Sequence, residues 1–331
     1  MKTFQNIPLS VLDLAPVLEG STPVESFKNS ADLIQAAEKF GFNRYWVAEH
    51  HNMPGIASSA TSVFIGHLAG VTDHIRVGSG GIMLPNHASL VIAEQFGTLE
   101  SLYPGRIDLG LGRAPGSDQA TAYALRRTLN QRVEDFPMQV EELQNYFAGT
   151  AGVRSVPGEG LDIPIWLLGS SGFSAQLSAE LGLQFSFASH FAPDYTIPAV
   201  NLYRDNFKPS DKMEKPYAML GVNIIAADTD EEAKYLATSQ QQQFLSIRRG
   251  QPTKLQPPIE NIDSVWSEME KAAVAKSIES SATIVGSKET VKAGLEKFIE
   301  ETQADELIVN AQIYDHEARK RSYEIVSELM E

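Results

Sequence analysis

Strand-like and helix-like patterns alternate along this chain from residue 7 to residue 330, and that rhythm limits the folds open to it. Short apolar runs occupy residues 7–14, 44–48, 75–79, 107–111, 164–168, 185–189, 217–227 and 306–309. Segments with apolar residues at helical spacing separate them. The first is representative. Thr22-Pro23-Val24-Glu25 reads as a capping box with proline at the first helical position. Phe27, Ala31, Ile34, Ala37 and Phe40 then form one stripe, and Gly41 fits the stop. Strict alternation implies parallel strands joined by helical crossovers. Eight such units predict a single (β/α)8 TIM barrel, with an open doubly wound sheet as the alternative.

No linker or break in composition divides residues 1–331, so the expectation is one domain. Residues 250–281 interrupt the rhythm after the seventh strand–helix unit. They begin with Pro252, Pro257 and Pro258 and continue around Trp266. This insertion reads either as a lid or as a surface excursion that only packs.

The net charge of −15 argues against nucleic-acid binding, which needs an excess of Lys and Arg on one face. It leaves room for a small anion held by a local Arg and a helix N-terminus. The chain has no cysteine, which excludes disulfides, thiol nucleophiles and thiolate metal sites. The first residues do not form a signal peptide, and no uncharged apolar stretch reaches ~18 residues, so a cytoplasmic protein without a membrane span is expected.

The strand ends carry the chemistry. The second strand runs Arg44-Tyr-Trp-Val-Ala and ends in Glu49-His50-His51. Titratable groups are costly to bury, so at a strand tip they favour a mouth, where parallel α/β folds bind ligands. Strand alternation turns His50 and His51 to opposite faces, which disfavours a shared metal ion; no metal site is expected. The third strand ends Val77-Gly-Ser-Gly80-Gly81, where two glycines let a flat ligand approach the backbone. The fourth runs Gly110-Leu-Gly112-Arg113-Ala-Pro115. Pro115 breaks the dinucleotide fingerprint and leaves an arginine suited to an anion. The fifth ends Gly169-Ser170-Ser171-Gly172-Phe173-Ser174 and leads into a helix, an arrangement that can hold a phosphate. Ser174 could equally be a simple N-cap. The sixth ends in His190, a ligand contact or a hydrogen-bonded loop residue. His67, His74 and His316 read as structural or solvated.

In order and spacing, these motifs resemble the bacterial luciferase-like flavin monooxygenase family across essentially the whole chain. Ala48-Glu-His-His-Asn-Met-Pro-Gly-Ile-Ala57, Leu84-Pro-Asn-His87 and Arg113-Ala-Pro-Gly-Ser-Asp118 are most similar to its YhbW-like branch. The resemblance implies a (β/α)8 barrel that uses reduced FMN and molecular oxygen on a small organic substrate through a flavin hydroperoxide. A separate, transiently bound flavin reductase would supply the reduced FMN, and a homodimer is implied. His50 matches the catalytic histidine. Gly80 and Gly81 match a pair often joined by a cis peptide beneath the flavin ring. Arg113, Ser171 and Ser174 match phosphate contacts, with Ser170 and His190 as further candidate contacts to the cofactor. Ser170 stands where the luciferase catalytic chain has Glu, and Gly112 where it has Cys, so luminescence itself is in doubt. The family also contains deazaflavin-dependent oxidoreductases and non-catalytic flavin binders. A metal-dependent hydrolase is the remaining alternative.

Overall fold

The computed structural model describes residues 2–113, 119–126, 135–262, 265–278 and 280–331. Eight parallel strands close into a barrel: β1 (Ile7–Asp13), β2 (Arg44–Val47), β3 (Arg76–Ser79), β4 (Ile107–Gly112), β5 (Ile165–Gly169), β6 (Gln184–Phe187), β7 (Ala218–Ala226) and β8 (Glu306–Asn310). Closure comes from β8 pairing with β1, with Leu307 opposite Leu9 and Val309 opposite Val11. β1 in turn pairs with β2. All eight strands coincide with the predicted apolar runs to within two or three residues. The (β/α)8 architecture is therefore the observed fold, and the open sheet is not.

The two faces of each strand have different partners, as a period of two requires. On β1, Leu9 and Val11 join the large core between barrel and helices, while Leu12 joins the core inside the barrel. Trp46, Trp166, Met219 and Ile308 share that interior layer. The indoles of Trp46 and Trp166 meet edge to face at 5.2 Å. A Cβ on Gly78 would come within 2.7 Å of both Trp46 Nε1 and Asp108, so only glycine lets the indole cross at this height.

Below the aromatic layer lies a buried ionic network. Arg44 Nη1 contacts Asp108 at 2.9 Å and Arg44 Nε contacts Glu306 at 2.9 Å. Arg76 reaches the other oxygen of Asp108 at 2.6 Å. Trp46 Nε1 donates to Asp108, and Tyr217 and Asn43 donate to Glu306. Burial alone would raise the Asp108 carboxyl; Arg44 and Arg76 outweigh it and hold the group below its ordinary value.

Several local expectations need correction. Thr22 does precede the helix Pro23–Phe40, and Gly41 closes it with φ 93°. However, the Thr22 side chain makes no capping bond, and Glu25 pairs instead with Lys28. The helix after β5 starts at Gly172 with Ser171 as N-cap, so Ser174 lies inside its first turn. Two further helices, Gln119–Arg126 and Glu268–Ile278, and a strand, Thr283–Gly286, were not anticipated. That strand pairs in parallel with the distal half of β7, Asn223 to Ala226. Within the region read as an insertion, Leu255 bridges to Leu18. Gly55 packs there so closely that a Cβ would lie 2.3 Å from the Thr253 carbonyl oxygen.

Replacing Arg44 with Met keeps the volume but leaves Glu306 and Asp108 short of a cation inside the barrel. Breaking a buried pair this way typically costs about 3–5 kcal/mol. Urea unfolding of Arg44→Met should show a loss of that order. A loss below about 1 kcal/mol would mean that the network is not coupled to barrel stability.

Candidate active site

The C-terminal ends of the strands open into a cavity of about 590 Å³. Leu12, Trp46, Leu168 and Ile308 form its floor, so the interior aromatic layer sets its depth. The helix Asp230–Arg248 contributes Ala237, Phe244 and Ile247 to the lining, and Ile278 adds to it. Phe191 lies on the lining with 76% of its surface exposed.

The tip of β2 divides as strand alternation predicts. His50 lines the cavity. Glu49 and His51 do not; they face the wall. The buried Glu49 carboxylate accepts from His51 Nε2 at 2.8 Å, His87 Nε2 at 2.9 Å and the Met83 backbone N–H at 2.9 Å. Burial favours its neutral form, but His87 and His51 overcome that and keep it below its ordinary value. The acid thus works as a clamp between β2 and the loop after β3. His50 donates its backbone N–H to Ser58, while its imidazole Nδ1 has no hydrogen-bond partner. Burial pushes its pKa down; Glu49 opposes that and His51 adds to it. The imidazole is therefore neutral near pH 7.

Gly80 lines the same cavity and joins Gly81 through a cis peptide. A Cβ on Gly81 would sit 2.8 Å from the Gly110 carbonyl oxygen, and one on Gly80 would crowd Leu12 and Trp46. Neither position has room for a side chain. His190 also lines the cavity, packed on Gly221 of β7, where a Cβ would come within 2.3 Å of its Nδ1. That nitrogen lacks a well-aligned partner. Burial, weakly opposed by the Gly221 backbone, pushes His190 down to about 4.

Arg113, Ser170, Ser171 and Ser174 do not line the cavity; they lie next to it. Gly112 pairs with Leu168, which sets Arg113 beside the start of the helix that follows β5. Its guanidinium stacks 3.9 Å from the Phe173 ring centroid, in the first turn of Gly172–Leu181. Ser170 and Ser171 are exposed, and the Ser171 hydroxyl makes no capping bond. Ser174 is buried against Gly169, itself part of the cavity wall. Among the described residues Arg113 has no salt bridge. An unpaired guanidinium beside a helix N-terminus can bind an anion. Residues 114–118 of the predicted Arg113–Asp118 motif lie outside the described residues.

The opposite wall was missed. Asn310 Nδ2 donates to Asn223 at 2.9 Å, Gln312 Nε2 donates to Asn310 at 3.1 Å, and Asn223 reaches Thr283 at 3.3 Å. All four line the cavity, with Gln240 and Gln243 of the helix Asp230–Arg248. The available signals were polar amides at inward positions of β7 and β8 and the run of glutamines at 240–243. Among the described residues, the cluster with spacing closest to a metal site, Asp32, His316 and Glu317, does not line the cavity, and Lys320 pairs with its Asp32 at 2.9 Å.

Known proteins resemble this chain along nearly its full length. A family model described as luciferase-like monooxygenase matches residues 8–306. A luciferase-like monooxygenase of Escherichia coli (strain K12) is 56% identical, over 99% of this chain and 98% of its own. N-acetyl-S-alkylcysteine monooxygenase of Bacillus subtilis (strain 168) is 31% identical, over 97% and 98%. The crystal structure of apo-MsnO8 superposes with a TM-score of 0.88 at 34% identity, covering 98% of each chain. Two more distant structures share the fold alone. One is the oxygenating constituent of 3,6-diketocamphane monooxygenase from Pseudomonas putida in complex with FMN (TM-score 0.74, 16% identity, 97% of each chain). The other is an F420-dependent secondary alcohol dehydrogenase (TM-score 0.67, 12% identity, 98% of each chain).

The burial of His190 has a measurable consequence. Its folded pKa of about 4 lies below the ordinary 6.5, so between those values the unfolded chain binds more protons. Its contribution to stability is complete above pH 6.5 and is lost as the pH falls toward 4. Two-dimensional NMR of the imidazole nitrogens should show His190 neutral at pH 5.5. A protonated ring at that pH would contradict the assignment.

Proposed function

Because the chain belongs to the luciferase-like monooxygenase family, we propose that it is a flavin-dependent monooxygenase acting with reduced FMN and molecular oxygen on a small organic substrate. The observation that carries this reading is the division of the strand ends into two adjoining parts. One is an apolar cavity lined by His50 and the Gly80 backbone; the other is a rim bearing an arginine at a helix N-terminus. A flat ring fits the first and a phosphate the second. The imidazoles of His50 and His190 both belong to the cavity lining.

Bound flavin supplies the electrons for oxygen activation. The chain's own residues do the rest. Arg113, with Ser170, Ser171 and Ser174, holds the phosphate. Gly80 and Gly81 let the ring approach the backbone, with His190 as a further contact. The apolar floor and the residues above it exclude water. His50, neutral near pH 7, accepts or returns a proton through the imidazole that lines the cavity. Glu49 keeps the β2 tip and the glycine loop in register through its bond to Met83.

In the same proposal a separate reductase delivers reduced flavin. The naming of the diketocamphane protein as an oxygenating constituent supports such a division of labour. A homodimer and a cytoplasmic location complete the reading; among the described residues no helix is long and apolar enough to cross a membrane. We read the insertion at 250–281 as a cover of the cavity mouth, supported by Ile278 on the lining. A deazaflavin coenzyme is the second reading, supported by the F420-dependent neighbour. Titration of the protein with FMN and with F420, followed by flavin fluorescence and melting temperature, separates the two.

Two substitutions test the assigned roles. Arg113→Ala should weaken FMN by roughly 10–150-fold, the effect of losing one charged hydrogen-bonding partner, and leave riboflavin nearly unchanged. Equal weakening of both would make Arg113 structural. His50→Ala should keep FMN affinity within about threefold while oxygen-coupled turnover falls by roughly 10²–10⁴. Unchanged turnover at saturating substrate would remove His50 from the chemistry.

A further inference from the structure

The cavity lining carries a single fixed charge. The chain has 42 acidic residues against 27 lysines and arginines, yet among the described residues no carboxylate lines the cavity and Arg248 is its one cation. Burial keeps His50 and His190 neutral near pH 7. Arg248 ends the helix Asp230–Arg248 and is exposed. Its guanidinium lies 5.7 Å from the Phe244 ring centroid, one turn back on the same face. Among the described residues it has no salt bridge, whereas its neighbour Arg249 pairs with Glu270 at 2.6 Å. A cation at a helix C-terminus offsets the helix dipole, and that would account for Arg248 if it faced bulk solvent. It lines the cavity instead.

The helix places this charge at the mouth. Ala237, Gln240, Phe244 and Arg248 follow helical spacing along the lining. Exposure rises in the same direction: Ala237 is 2% exposed, Gln243 8% and Ile247 50%. The wall thus runs from the interior outward, and the helical rise gives it a length of about 16 Å. Gln240 and Gln243 bury their Oε1 atoms, which leaves Nε2, a donor, as the end of each amide that a ligand can reach. The helix follows β7, and in a ring of eight strands β7 stands opposite β3, whose end carries Gly80. A ring held over Gly80 therefore leaves this wall to a second molecule.

We propose that Arg248 binds the carboxylate of a singly charged substrate whose apolar tail runs down the Asp230–Arg248 wall toward the Trp46 floor. A guanidinium fork matches a carboxylate through two parallel hydrogen bonds. The negative end of the helix dipole, with no second cation among the described lining residues, disfavours a dianion such as a phosphate monoester. This names the substrate class for the monooxygenase reading and rests on it for the chemistry, though not for the anion site.

The test compares octanoate with octanamide, which share a chain length and differ in charge. Calorimetric titration of the full chain, with and without FMN, should give octanoate binding roughly tenfold tighter at low ionic strength, the scale of a charged hydrogen bond. High salt should shrink that preference, because the guanidinium is exposed. Arg248→Gln should remove it, weakening octanoate roughly tenfold and holding octanamide within about threefold. Arg248→Lys should restore part of it, since the charge returns without the fork. Melting temperature reports folding of each variant. Equal affinity of the two probes for the unsubstituted protein, or no octanoate binding at millimolar concentration, overturns the proposal. So does a preference that survives Arg248→Gln; its loss in Arg113→Ala instead would assign the carboxylate to the phosphate rim. Absence of FMN binding with the Arg248-dependent preference intact would sink the flavin reading and leave the anion site standing.

Discussion

Arg44 holds the barrel together from the inside. Its guanidinium joins β2 to Asp108 of β4 and Glu306 of β8, and it lies 4.8 Å from the centroid of the Trp166 ring on β5. An open barrel interior would fill with water. Here one end is closed by charges that satisfy each other, and the next layer by two indoles meeting edge to face. A buried network of this kind is weak evidence for stability in itself, because desolvation offsets much of the attraction. Its effect is on geometry: it fixes the height at which Trp46 and Trp166 lie, and they form the floor of the cavity.

Polar groups are used differently at the two ends of the barrel. Below the aromatic layer every carboxylate has several donors, and Glu49, on the outer side of the β2 tip, is equally saturated. Above that layer the cavity is lined by neutral groups, the imidazoles of His50 and His190 and the amides of Asn223, Asn310 and Gln312. Saturated groups set the framework and are not free to engage a ligand. The contrast separates clamp from contact among residues that composition treats alike. Glu49 and His50 are neighbours in the chain with opposite duties.

The fold was legible because the barrel's strands are buried on both faces and its helices on one, which prints two periods onto the residues. The strand ends were legible for the same reason, as glycines and titratable groups that interrupt apolar runs. Alternation separated His50 from His51 before any geometry was known. The amide wall was not legible. Asn223 and Asn310 sit inside otherwise apolar strands, and nothing local says that they face each other across β7 and β8. Nothing local marks Gln240 and Gln243, on a helix between the last two barrel strands, as members of the cavity lining. Thr22 shows the limit at small scale: a capping sequence can be present while Glu25 finds a better partner in Lys28.

The parallel pairing of Leu9 with Leu307 also has a consequence in time. These residues are about 300 positions apart, and on the outer face Asp13 meets Arg319 across a similar span. A ribosome adds about 5–20 residues each second, so β1 exists for roughly 15–60 s before its second neighbour has been made. Throughout that interval its edge offers unpaired N–H and C=O groups to any extended segment nearby. The nascent chain is therefore exposed to mispairing along this edge of β1 until the strand Glu306–Asn310 has been made.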